Sequence, residues 1–110
     1  MDSRHILDVK KQQIDKNLFG LFAEVGNAID QAVKCLVKKD EHICRTLIDN
    51  DVNLNEKRRL IEQDCLVALA SQQPVAHDLR DIVADMRIAT ELERMGDYAG
   101  DIAASILEMD

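Results

Sequence analysis

The chain has no tryptophan, one proline, four glycines and an aromatic content of only 3%. Little is left from which to build tight turns or a sheet core. No apolar run approaches the roughly 18 residues of a membrane span, the longest being Cys65-Leu66-Val67-Ala68-Leu69-Ala70. Met1 to Lys11 is polar and carries no signal-peptide hydrophobic stretch. Basic residues are in deficit, 14 Lys and Arg against 21 Asp and Glu, for a net charge of −7. That balance argues against nucleic acid, whose phosphates need a basic surface, and suits a cation or a basic partner. The catalytic signatures are missing too. There is no G-x-S-x-G, no glycine-rich phosphate loop and no nucleophile–base pairing, so an enzyme is not expected. No Glu-x-x-His occurs, which speaks against a ferritin-like di-iron centre. Cys35, Cys44 and Cys65 show no C-x-x-C spacing and sit among apolar residues, as reduced, buried cysteines of a cytoplasmic protein do.

Hydrophobic residues make up 46% of the chain and charged residues 32%, the balance of a helical protein with one core. Ile14, Leu18, Leu21, Val25, Ile29, Ala32 and Leu36 recur at steps of three and four, the face of a first helix from Ser3 or His5 to Lys38. Lys38 and Lys39 suit the negative end of that helix, and Asp40-Glu41 the positive start of the next, so Asp40 is the joint. A second helix carries Ile43, Leu47, Leu54, Ile61, Cys65 and Ala68 to about Ser71, through an unusually polar middle. A third follows Pro74, with Leu79, Ile82, Met86, Ala89, Leu92 and Ala103, and runs to about Glu108. Short turns make consecutive helices antiparallel. The fold expected is all-α, one elongated antiparallel three-helix bundle over residues 1–110.

Ala89, Glu93, Gly96, Gly100 and Ala103 share one stripe of the third helix, with Asp97 at its edge. Small residues at that spacing invite close approach by another helix, so Gly96 and Gly100 are expected to pack. An acid among them faces a partner, and burying its charge is costly unless a counter-charge or cation meets it. With the chain folded back at Pro74, Asp51 comes level with Asp97 and Asn55 with Glu93. Four oxygen side chains from two antiparallel helices make a candidate hard-cation site, with Asp101 as a fifth ligand. Spacing alone leaves Asp49 with Asn53 as a competing rung. It also leaves a bland reading, in which Arg80, Arg87 and Arg94 neutralise Asp81, Asp85 and Asp97 on solvated faces. His77, in the first turn of the third helix, reads as a surface or capping residue.

Three stretches carry a family resemblance: LIDNDVNLNEKRRLIEQDC, QQPVAHDLRDIVADMRIA and ELERMGDYAGDIA, supported by VGNAIDQAVKCLVKKD in the first helix. The chain resembles the PhoU regulators of phosphate uptake. That resemblance implies a three-helix unit, usually present twice in tandem, in a cytoplasmic protein peripheral to the membrane. It implies a non-enzymatic regulator acting with a phosphate ABC transporter and a phosphate-sensing histidine kinase. It also implies iron or zinc held by paired (Glu/Asp)-x-x-x-Asp motifs. Glu93 and Asp97 match one motif, and Asp51 with Asn55 the other, which favours that rung over Asp49 and Asn53. Asn55 departs from the pattern by replacing an acid, and only one unit is present. A unit ordinarily paired is expected to self-associate as a homodimer. The competing readings are a metal-storage or metal-sensing bundle and a structural interaction module without metal.

Overall fold

The computed structural model describes residues 3–71 and 74–109. Four helices, α1 (Ser3–Lys38), α2 (Glu41–Asp49), α3 (Asp51–Ser71) and α4 (Ala76–Leu107), form three rods in a bundle 60 Å long and about 18 Å across. The fold is all-α, and the described residues contain no strand. Gln72 and Gln73, which open one of the resemblance stretches, lie outside the described residues.

Each rod is built on a seven-residue repeat. In α1 the inward positions are Leu7, Lys11, Ile14, Leu18, Leu21, Val25, Ala28, Ala32 and Cys35, at alternating steps of four and three. In α4 they are Asp78, Ile82, Asp85, Ala89, Leu92, Gly96, Ala99, Ala103 and Ile106. Nearly all are buried, and knobs at that spacing interdigitate with neighbouring helices along the whole length. α1 and α4 run parallel, with Lys11 against Asp81 near one end of the seam and Leu36 sharing a groove with Ile102 near the other, while α2 and α3 return between them. Ile29 and Leu36, placed on the core face from sequence, are instead 37% and 50% exposed. The core takes Ala28 and Cys35, because the true repeat turns the helix one residue away from the larger aliphatics.

The second rod is interrupted at Asn50, where one continuous helix was expected. Asn50 keeps right-handed helical dihedrals, and its side-chain Oδ1 accepts from Asn53 Nδ2 at 3.0 Å. The backbone ladder runs on through the break, Asn50 N–H donating to the Thr46 carbonyl at 3.0 Å and Leu54 N–H to the Asn50 carbonyl at 3.3 Å, so the rod does not change direction. The repeat survives it: Cys44, Leu47, Asp51, Leu54, Arg58, Ile61, Cys65 and Ala68 keep the same alternation.

Asp40 caps α2, its carboxylate accepting from the amides of His42 at 2.9 Å and Ile43 at 3.2 Å. Lys39 completes the turn at φ 53°, the left-handed conformation that ends many helices. Cys35 and Cys44 flank this turn on antiparallel helices at core positions, with Cα atoms 5.6 Å apart, and they form a disulfide. The expectation of three reduced thiols therefore fails for two of them, and the cysteines no longer argue for a reducing compartment. Cys65 is free and buried, and burial pushes its thiol up to about 12, so it stays protonated and unreactive.

The two glycines of the α4 stripe differ. A Cβ at Gly96 would lie 2.6 Å from Leu54 Cδ1, whose side chain is itself locked in the core. A Cβ at Gly100 would meet nothing within 4 Å, so the expectation that Gly100 packs is corrected. Gly96→Ala should cost about 1–3 kcal/mol through overpacking. Gly100→Ala should stabilise by about 0.5–1 kcal/mol through helix propensity. Urea unfolding of the two variants checks the contrast.

Candidate functional site

Asp51 and Asn55 open α3, and Glu93 and Asp97 lie one helical turn apart on α4. Because the two helices are antiparallel, all four side chains line one groove of about 500 Å³, together with Ile48, Gly100, Asp101 and Ala104. Gly100 floors the groove rather than filling it. Asp101 is exposed at its rim. Asp49 and Asn53 project into a different groove, against Asn27, Gln31 and His42, and do not meet Glu93 or Asp97.

A cation already stands at one end of this groove. Arg58, seven residues after Asp51 and therefore on the same inward stripe, donates through Nε to Glu93 Oε2. Its Nη2 donates to Asn55 Oδ1 at 2.6 Å and its Nη1 to Glu62 Oε2 at 2.8 Å. Glu62 in turn accepts from the Thr90 hydroxyl at 3.1 Å. Arg58 and Glu93 are 23% and 18% exposed, so this is a screened but largely desolvated pair. The acid on the small-residue stripe does face a counter-charge, and that counter-charge is an arginine of the chain itself.

The other end lacks one. Asp97 faces Asp51 carboxyl to carboxyl, and that contact, with partial burial, raises Asp97 to about 6 despite the opposing pull of Arg58. Asp51 Oδ1 is buried with no hydrogen-bond partner among the described residues. A buried oxygen without a donor beside a carboxyl that resists ionisation suits a proton or a small hard cation. The donor set thus fits a metal ion at Asp51 and Asp97, while Asn55 and Glu93 would have to exchange Arg58 for it. No group of three or more His, Cys, Asp or Glu among the described residues is arranged to hold a metal ion with the side chains as they stand.

Two further features escaped the sequence reading. Asp78 is solvent-inaccessible beneath Arg4, at 2.5 Å, and Lys11, at 2.9 Å, which hold its carboxyl at about 2. It pins the start of α4 to the start of α1. Asp85, on the α1 side of α4, is raised to about 6 by burial and by Asp15. The proposed arginine stripe does not serve these acids: Arg94 pairs with Glu91, and Asp81 with Lys11 and His77. His77 is exposed, as expected of a surface residue. The signal for Asp51, Arg58, Asp78 and Asp85 was in the sequence, since all four occupy repeat positions that ordinarily hold an apolar side chain.

Residues 19–106 match the model of the PhoU domain family. The chain belongs to that family. It is 31% identical over 106 residues to the phosphate-specific transport system accessory protein PhoU homolog of Streptococcus pneumoniae, covering 96% of this chain and 49% of that protein. The homolog of the same name in Rhizobium meliloti is 32% identical over 111 residues, covering 97% and 46%. The crystal structure of the phosphate transport system regulatory protein PhoU from Streptococcus pneumoniae superposes with a TM-score of 0.89 at 29% identity, over 94% of this chain and 49% of that one. The chain thus spans about half the length of the relatives it matches. No described helix is long and apolar enough to cross a membrane.

The acids of this PhoU domain set opposite pH dependences. Folded Asp97 and Asp85 keep protons up to about pH 6, whereas an unfolded aspartate releases them near 3.8. The folded state binds more protons in that window, so stability falls as pH rises through it. Asp78 is depressed to about 2, so its contribution is present above 3.8 and lost as pH falls towards 2. Thermal unfolding in chelator-treated buffer should therefore be highest at about pH 4–5. Asp97→Asn should flatten the decline on the alkaline side.

Proposed function

We propose that this PhoU domain is a non-enzymatic regulator of phosphate transport whose Asp51–Asp97 groove takes a divalent or ferric cation in exchange for Arg58. The regulatory part rests on family membership across residues 19–106. In this reading the domain works in the cytoplasm, peripherally at the membrane, through contacts with a phosphate ABC transporter and a phosphate-sensing histidine kinase. Binding of the purified domain to each of those proteins in nanodiscs tests it. Measurable binding to either is expected, and binding to neither would overturn this part.

The cation part is carried by the orphaned Asp51 Oδ1 opposite Asp97. Asp51 and Asp97 supply the first ligands, and Glu93 and Asn55 join once the guanidinium swings out. Iron, zinc and manganese all accept such oxygen ligands, and a bound ion would supply fixed positive charge that joins α3 to α4. Calorimetric titration with Mn²⁺, Zn²⁺ and anaerobic Fe²⁺ tests the assignment. Arg58→Gln and Asn55→Asp should each tighten binding by about tenfold, since each makes the groove more negative by one charge. Asp97→Asn should abolish it. Absence of binding in the wild type, Arg58→Gln and Asn55→Asp alike would show that Arg58 is the only cation this groove accepts.

A further inference from the structure

The groove that takes Asp49 and Asn53 lies on the seam between α1 and the α2–α3 rod, and at about 630 Å³ it is larger than the acidic one. Carboxamides line it. Asn27 and Gln31 stand on the α1 wall and Asn50 and Asn53 on the other, so three of the chain's five asparagines meet here. Just before it on the same seam Glu24 pairs with Lys57, the ion pair usual on the flank of a helix bundle. Asn27 and Gln31 follow Glu24 at steps of three and four, and there amide replaces charge. Asparagine in mid-helix is less favourable than the charged residues that could stand in its place. Among the described residues the side chains of Asn27, Gln31 and Thr46 meet no hydrogen-bond partner, so nothing within the bundle offsets that loss. Between the two walls, Ala28, Ile43 and Leu47 form an apolar floor.

We propose that this groove binds an extended, lysine-rich peptide segment of a partner protein, and holds it by its main chain. A carboxamide offers a donor and an acceptor side by side. That is the complement of the N–H and C=O which one residue of an extended chain turns to the same side. Such pairs return to that side every second residue, roughly 6.6 Å apart. Residues four apart on a helix rise by roughly 6.0 Å. Asn27 and Gln31 have that spacing on one wall, and Thr46 and Asn50 have it on the other. A strand lying along the seam therefore meets α1 with one set of alternate residues and the α2–α3 rod with the other. Its side chains then point in turn to the floor and to solvent. The floor of Ala28, Ile43 and Leu47 takes small apolar side chains. Asp49 on the lining, in a chain of net charge −7, favours lysine at the positions that face solvent. From His42 to Asn53 the wall is about 16 Å long at helical rise, the reach of about five extended residues.

Amide-correlation NMR of the labelled chain, titrated with the acetylated and amidated pentapeptide Lys-Val-Lys-Ala-Lys, tests the proposal. Binding in the millimolar range or tighter is expected, with the side-chain amide signals of Asn27, Gln31 and Asn53 shifting. The same peptide N-methylated at valine and alanine keeps every charge but loses two main-chain donors, and its binding should weaken by about tenfold or more. Asn27→Asp keeps the shape of the side chain, removes its donor and adds a negative charge. Asn27 is exposed, so the variant should keep its helicity. It should bind the unmodified peptide about tenfold more weakly, whereas attraction between charges alone would tighten binding. Absence of shifts at these residues in the wild-type chain would overturn the proposal. So would equal binding of the N-methylated peptide, or an Asn27→Asp variant that binds as tightly as the wild type or more so.

Discussion

Inward positions recur every seven residues on all three rods, so a charged side chain in that register must find its counter-charge on a neighbouring helix or remain unstable there. Five of these positions carry charge: Lys11, Asp51, Arg58, Asp78 and Asp85. Lys11 and Asp78 satisfy each other between α1 and α4, with Arg4 adding a second cation. Arg58 meets Glu93 between α3 and α4. Asp51 meets Asp97 and Asp85 meets Asp15 instead, and the proton affinity of Asp97 and of Asp85 rises. The repeat therefore decides where the bundle is held by ion pairs and where carboxyl groups crowd one another.

The same constraint separates the two ends of the acidic groove. Arg58 holds Glu93 and Asn55 in a network that extends through Glu62 to Thr90. Four residues further along α4, Asp97 and Asp51 repel, and one oxygen of Asp51 is left without a donor. Asparagine at position 55 fits this division: it accepts from Arg58 where an acid would add charge.

Much of the architecture was legible in the sequence, because helix periodicity, the Asp40 joint and Pro74 are local signals. The level pairing of Asp51 with Asp97 followed from a single fold-back. The break at Asn50 was not legible, since Asn50 keeps helical dihedrals and the seven-residue repeat runs through it unshifted. Ile29 and Leu36 were misassigned because α1 carries two apolar seams, and periodicity does not say which one faces inward. Arg58 escaped attention for a related reason: long basic side chains usually mark a solvated face, and only the register places this one in the groove. The Cys35–Cys44 pairing depended on the width of the turn between them, which spacing in sequence does not give.

The central claim is that Asp51 and Asp97 face each other without a cation between them while Arg58 serves Glu93. Carbon-detected NMR titration of the aspartate side-chain carboxyls in chelator-treated protein measures it directly. Asp97 should lose its proton at about 6, and at lower pH once Asp51 is replaced by asparagine. A carboxyl that titrates near the ordinary 3.8 in the wild-type chain would contradict the account.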